Sequence, residues 1–367
     1  MSRTLQTEAG DRLRTVDQTL LPFEQHPIVL ETAEACREAI VSMRVRGAPL
    51  IGAVGAFGLA LSLRNDSSDA ALTAAIASLA SARPTAVNLA WALERVRGRV
   101  AGLDPSSRAR AAWDEAERIC DEDARCNQRI GEWGAPLLRA AARVEPGASR
   151  PLQVLTHCNA GRLATIDHGT ALAPIYALHA AGIPVHVWVD ETRPRNQGAS
   201  LTAWELGRAG VAHTVIADNA GGLLMMRGEV DVVITGCDRV AANGDVANKI
   251  GTYLKALAAF DNRIPFYVAC PLSTLDRATP DGAAIEIEYR SPREITHARG
   301  RLADGRLTEV ALMDEALTAL NPGFDITPAR LVSALITEQG VVEASPAAIA
   351  SLFDGAAASM SASVALR

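Results

Sequence analysis

Apolar positions along this chain follow two different rules. From about residue 31 to residue 145 they recur near every 3.6 residues, and the breaks carry Pro, Gly, Ser or Asp. That spacing predicts helices over 31–44, 49–64, 69–81, 85–100 and 106–142. Ahead of them, residues 14–30 can hold short strands. From 152 onward, short apolar runs (152–157, 184–191, 212–219, 230–236 and 264–270) alternate with helical stretches (171–181, 198–209, 221–227 and 248–260). Strands separated by helices predict a parallel sheet covered on both faces.

The expected fold is therefore α/β. A mainly helical N-terminal domain, residues 1–145, opens with a small antiparallel sheet. A Rossmann-like parallel-sheet domain, residues 151–367, follows the linker "VEPGASRP". A last helix is predicted over 328–339, and the tail after Ser345 is rich in Ala and Ser.

One run needs a membrane check: "GAPLIGAVGAFGLALSL", residues 47–63, carries no charge. A spanning helix needs about 20 apolar residues. Pro49 stands at the start, and glycines recur at 47, 52, 55 and 58. A buried helix in close contact with its neighbours is the better reading.

Composition narrows the function. A chain of 367 residues with 49% hydrophobic content can bury a large core. The net charge of -6, with no basic block, argues against nucleic acid as a main partner. Six cysteines form no CxxC pair, and residues 1–20 are polar, which is the pattern of a cytoplasmic chain without a disulfide framework or signal peptide.

In open α/β sheets ligands bind beyond the carboxyl ends of the strands. Each predicted strand here ends in unusual residues: "THCNAG", "DETRPRNQGAS", "DNAGG", "GCDRVAANGDVANKIGTY" and "CPLST". Cys158 is the one cysteine beside a histidine in such a loop. A thiol near helix N-termini can act as acid or base, although a free cysteine more often serves as a small buried hydrophobe. Cys36, Cys120, Cys126, Cys237 and Cys270 fit that structural role. Asp238 is a second acid/base candidate, with an ion pair to Arg239 or a turn cap as the plain alternative. "ANGD", residues 242–245, reads as a turn.

Donors for an anion stand at Arg46-Gly47-Ala48, Gln197-Gly198 and Asn248-Lys249, each at or just before a predicted helix start. No Walker or GxGxxG sequence is present, so a nucleotide is not indicated. His157 has no HxxxH or CxxC partner for a metal, the other histidines are scattered, and no GxSxG elbow occurs.

Taken together, "RGAPLIGAVGAFG", "RPTAVNLAWA", "LTHCNAG", "DETRPRNQGASLTAWEL", "GCDRVAANGDVANKIGTY", "PFYVACPLSTLD", "IEIEYRSPREI" and "NPGFDITPARLVSALITEQG" resemble the methylthioribose-1-phosphate isomerases. That family is related to the regulatory subunits of the translation-initiation guanine-nucleotide exchange factor. The resemblance covers residues 16–342. It implies Cys158 as the catalytic thiol and Asp238 as its acid/base partner. It implies substrate contacts at Arg46, Gly47, Ala48, Arg83, Gln197, Asn248 and Lys249. Cys237 and Asn196 depart from the usual pattern.

The implied reaction is aldose-to-ketose isomerisation of a methylthioribose phosphate in methionine salvage, without metal or cofactor, in a homodimer. Hydrogen moves from C2 to C1 as a proton or as a hydride. The rivals are an isomerase of 5-deoxyribose 1-phosphate or ribose 1,5-bisphosphate, and a non-catalytic regulatory subunit.

Overall fold

The computed structural model describes residues 3–84, 86–142, 150–314 and 316–354. The chain divides into two compact units: Met1–Gly131 with Ala160–Ala173, and Glu132–Asn159 with Pro174–Arg367. This grouping differs from a cut at 145/151. The boundary falls inside a long helix, and a short later segment returns to the first unit. Most of the "VEPGASRP" linker, like the tail from residue 355, lies outside the described residues.

In the first unit, β1 (Gln6–Glu8), β2 (Arg12–Val16) and β3 (Pro27–Leu30) form the small antiparallel sheet. The helices are α1 (Ala33–Val41), α2 (Ala48–Leu63), α3 (Asp69–Ala80), α4 (Val87–Val100) and α5 (Pro105–Ala140), the last crossing the boundary. Thr32 and Ser68 cap α1 and α3 through their hydroxyls. The uncharged run becomes α2, buried on every side. It packs closely because its small residues leave room: a Cβ on Gly52 would lie 2.9 Å from the Asn88 carbonyl of α4. Each large apolar side chain it buries, such as Leu50, Phe57 or Leu59, contributes about 1.5–3 kcal/mol. At 16 residues α2 is short for a span, and no helix among the described residues is long and apolar enough to cross a membrane.

The second unit is built on a sheet whose strands are β4 (Leu152–Thr156), β5 (Val185–Asp190), β6 (Ala212–Ile216), β7 (Val232–Thr235), β10 (Phe266–Ala269), β15 (Ala334–Thr337) and β16 (Gly340–Val342). Their spatial order is β16-β15-β10-β7-β4-β5-β6, all parallel except β16. The order reverses between β4 and β7: β5 and β6 continue to one side, β7 and the later strands to the other. Helices α6 (Leu172–Ala180), α7 (Ala203–Ala209), α8 (Ala220–Met226) and α9 (Thr252–Asp261) fall between the strands, with α6 spanning a unit boundary.

Beside this sheet, β8 (Arg239–Ala241), β9 (Val246–Lys249), β11 (Leu275–Asp276) and β14 (Phe324–Thr327) make a second, smaller one. The predicted "ANGD" turn joins β8 to β9, with Gly244 at φ 91°. A short helix, α10 (Arg293–Thr296), precedes the hairpin of β12 (His297–Arg301) and β13 (Leu307–Ala311), and α11 (Pro346–Ser351) closes the described chain.

Two expectations are corrected. The stretch 328–339 is not a helix: a single 3-10 turn, Ala329–Leu331, leads into β15. Its Ala-Leu-Ile-Thr run is fully buried and pairs with β10, so burial on both faces of a sheet decided between two periodicities that the sequence allowed. The helix expected from 248 starts only at Thr252, because Asn248 and Lys249 are the last residues of β9.

Candidate active site

Cys158 and Asp238 leave the sheet side by side. β4 and β7 are paired in parallel, Leu155 opposite Val233, and the Thr156 hydroxyl donates to the Ile234 carbonyl at 2.8 Å. Cys158 follows β4 by two residues and Asp238 follows β7 by three. Both therefore stand at carboxyl ends of adjacent strands, where the strand order reverses.

Cys158 is half-buried in a left-handed conformation, φ 65°. Its N–H donates to Thr192 Oγ1 at 2.9 Å, and its carbonyl accepts from the Thr202 hydroxyl at 2.7 Å. Thr202 in turn accepts from Asn159 Nδ2, which also donates to the buried Glu205. The turn is thus fixed by hydroxyls from the β5–α7 segment. In that segment Gly198 is required: a Cβ there would lie 1.7 Å from the Asp190 carbonyl.

Asp238 is half-buried, and its N–H donates to the Ala247 carbonyl at the root of the β8–β9 hairpin. Arg239, the expected partner in the plain reading, reaches Asp276 at 3.6 Å. The neighbouring Cys237 packs against the core that holds Cys270, and burial pushes its thiol well above the ordinary range, with Cys270 and then the Asp238 charge adding to the effect. Such a thiol stays protonated, which fits the structural role expected for it.

Gln197 is 8% exposed, and its Oε1 is buried without a protein hydrogen-bond partner among the described residues. An unsatisfied buried amide oxygen invites a ligand donor. Asn248 donates to the Thr252 hydroxyl at 2.9 Å. Lys249 donates to the Gly323 carbonyl at 2.8 Å and lies 4.6 Å from the Phe324 ring centroid. The start of α9, expected to hold an anion, already has one of the protein's own. Asp325 accepts from Gly251 N at 2.7 Å and from Tyr253 N at 3.1 Å.

In the first unit, Arg46, Gly47 and Ala48 form the start of α2, as expected. Gly47 is its N-cap at φ 94°, and no side chain caps the helix. A Cβ on Gly47 would come within 2.4 Å of the Ala164 backbone. Arg83 lies between α3 and α4.

Among the described residues, His157, Asp190 and Asp218 offer ligand atoms in one cluster. Lys255 stands in it, 3.2 Å from Asp190 Oδ2 and donating to the Asp218 carbonyl. His157 uses both ring nitrogens, on Asp190 Oδ2 and on the Ile250 carbonyl, each at 2.8 Å. The Asp190 carboxylate is thus already paired with an ammonium, the Asp218 carboxylate accepts from Thr192 N and Arg193 N, and the imidazole has no lone pair left to give. The residues do not fit an ion. Burial raises Asp190, while His157 and then Lys255 draw it back down. Spacing along the chain does not reveal this partnership, because the groups come from the residue after β4, the end of β5, the segment after β6, and α9.

The model of the initiation factor 2 subunit family matches residues 44–344. The chain belongs to that family. Within it, this family member is 56% identical over 354 residues to a protein of Acidiphilium cryptum named methylthioribose-1-phosphate isomerase, covering 96% of this chain and 95% of that one. It is 56% identical over 345 residues to one of the same name from Methylobacterium nodulans, covering 94% of each. A crystal structure of 5-methylthioribose 1-phosphate isomerase from Pyrococcus horikoshii OT3 superposes with a TM-score of 0.83 at 37% identity, covering 96% of both chains. One described as the delta subunit of translation initiation factor eIF-2B from A. fulgidus superposes at 0.77 with 38% identity, covering 94% of this chain and 96% of that one.

Proposed function

We propose that the chain is an aldose–ketose isomerase that converts S-methyl-5-thio-α-D-ribose 1-phosphate to S-methyl-5-thio-D-ribulose 1-phosphate in methionine salvage. The observation that carries the reading is the near-full-length likeness to isomerases at 53–56% identity. The likeness to the A. fulgidus structure favours a regulatory-subunit reading on its own, but its 38% identity is below the 53–56% of those isomerases and its TM-score of 0.77 is below the 0.83 of the P. horikoshii isomerase.

We read the strand order as Rossmann-like, with Cys158 and Asp238 at its switch point. The phosphate blocks the anomeric oxygen, so the ring opens only if its own oxygen is protonated as the C1–O bond breaks. The C2 hydroxyl must lose its proton as the new carbonyl forms, and hydrogen moves from C2 to C1. Cys158 and Asp238 divide the two proton transfers, which calls for groups in opposite protonation states. Arg46, Gly47, Ala48, Arg83, Gln197, Asn248 and Lys249 bind the substrate. Holding the substrate at several fixed points supplies orientation at C1 and C2. The scheme needs no metal or cofactor, and we place the chain in the cytoplasm as a homodimer.

The test is to give the purified protein the methylthioribose phosphate beside 5-deoxyribose 1-phosphate and ribose 1,5-bisphosphate, and to follow ketose formation by NMR. Preferred turnover of the first supports the reading. Preference for either of the others moves the assignment to that substrate, and no turnover of any overturns it.

A further inference from the structure

Among the residues of the second unit that hold a left-handed backbone conformation, Cys158 and Thr192 are bonded to each other. Cys158 has φ 65° and Thr192 has φ 66°. For a β-branched residue such as Thr192 this is a marked outlier. Conformations of this kind are strained and persist only where surrounding contacts enforce them.

The Asp218 carboxylate accepts from Thr192 N and from Arg193 N at 2.7 Å each, and Asp190 ties Thr192 to Cys158 by two routes. Its backbone carbonyl accepts from the Thr192 hydroxyl at 2.9 Å, and the same hydroxyl oxygen accepts the Cys158 N–H. Its carboxylate meets His157 Nδ1 at 2.8 Å, and His157 is the residue before Cys158. The Ile250 carbonyl can only accept, so His157 Nε2 carries a hydrogen; another proton lies between Nδ1 and Asp190. Asp190 and His157 have fully buried side chains, and Lys255 balances the carboxylate. The imidazole also reaches the turn after β9: a Cβ on Gly251 would lie 2.9 Å from its ring. A buried ionic cluster is weak support for stability, yet it defines geometry sharply.

We propose that Asp190 is the positioning residue of the site, fixing the strained turn that presents the Cys158 thiol through Thr192 on one side and through His157 on the other. This rests on the reading of Cys158 as a reacting group. None of Asp190, Thr192 and His157 is exposed enough to touch substrate; they act through Cys158.

Thr192→Val removes the hydroxyl and keeps the shape, while Thr192→Ser keeps the hydroxyl and relaxes the strain. Two readouts are taken on protein whose thermal transition is intact: kcat and KM on the sugar phosphate, and the rate of iodoacetamide alkylation at Cys158 located by mass spectrometry. Thr192→Val should lower kcat about 10- to 100-fold with KM changed less than about threefold, since small misplacements are costly to rate. Its Cys158 should alkylate faster, because the turn no longer holds the thiol half-buried. Thr192→Ser should return both to within about threefold of native.

Should Thr192→Val fail to fold, His157→Asn, which keeps a donor towards Asp190, is compared with His157→Phe, which does not; the Asn variant should keep the native alkylation rate and the Phe variant should not. Native kcat and native alkylation in the folded Val or Phe variant would overturn the proposal. Equal damage in Val and Ser would also overturn it, since methyl packing would then explain both. If alkylation responds as stated but Cys158→Ala still turns over substrate, the positioning stands and the catalytic reading of Cys158 fails.

Discussion

Two helices of this chain begin on a glycine with positive φ, and they use their first amides differently. Gly47 opens α2 at φ 94° and Gly251 opens α9 at φ 102°. The N-terminus of α2 has no side-chain cap, with Arg46 just before it. The N-terminus of α9 is occupied by Asp325, which sits on β14, 74 residues further along the chain. A helix start favours an anion in either case. The fold supplies an anion at α9 and no side-chain cap at α2, and the proposed substrate phosphate is assigned to the second of these.

The largest effect that would sharpen this contrast is expected from Gly47→Ala. The added Cβ meets the Ala164 backbone, and the φ is unfavourable for alanine. Strain and overpacking together should cost about 2–5 kcal/mol in denaturant unfolding. Gly10→Ala, also at positive φ but with nothing within 4 Å, should cost only about 1–2 kcal/mol. Equal losses would show that conformation alone, and not the close approach, makes Gly47 necessary.

Next in size is the contrast between two cations. Arg46→Ala should raise KM about tenfold or more, as expected for a lost charge-assisted contact. Lys249→Ala should raise it only severalfold, because its ammonium is shared with the Gly323 carbonyl and the Phe324 ring. The reverse order in steady-state kinetics would place the anion site at α9 after all.

Asp325→Asn should cost about 1 kcal/mol of stability, the usual worth of a helix cap, seen as a lower thermal midpoint. Its carboxyl is pushed up by burial and drawn down by Gly251 N, Tyr253 N, His157 and Lys255. Unchanged stability would mean that α9 does not depend on its resident anion.

The first unit has a smaller counterpart. Asp123 accepts from Ile166 N at 2.8 Å and from Asn127, and burial pushes it up to about 7 from 3.8. A raised folded-state value means that the proton is held more tightly in the folded form. The stability from that proton is fully present below about 3.8 and is lost as pH rises through about 7. Unfolding midpoints measured from pH 5 to 8 should therefore fall with a slope that Asp123→Asn flattens. An identical slope in the variant would contradict this.

Much of the fold was legible because its signals are local. The central strands β7, β10 and β15 are buried on both faces, the first two reading as apolar runs, and α1 and α3 announce themselves with Thr32 and Ser68. Residues 328–339 were misread because Leu331, Leu335 and Ile336 suit a helical stripe as well as a strand, and only pairing with β10 decides. The β12–β13 hairpin went unpredicted although Asp304-Gly305 is a turn signal, because its strands are largely exposed and carry no apolar run. At the site, Cys158, Asp238 and Gln197 were legible as odd residues at strand ends. The groups that set their geometry were not: Asp190, Thr192, Lys255 and Asp325 matter through partners tens of residues away, and spacing along the chain does not encode such partnerships.

The central claim is that the thiol after β4 and the carboxylate after β7 serve one reaction. The measurement that tests it most directly is single-turnover and steady-state rate on the methylthioribose phosphate for Cys158→Ala, Asp238→Asn and the double variant. Residues acting as a unit are non-additive, so each single variant should lose about a thousandfold or more in kcat, and the double should be scarcely worse than the poorer single. Near-native turnover in either single variant, or losses that simply multiply in the double, would contradict the account.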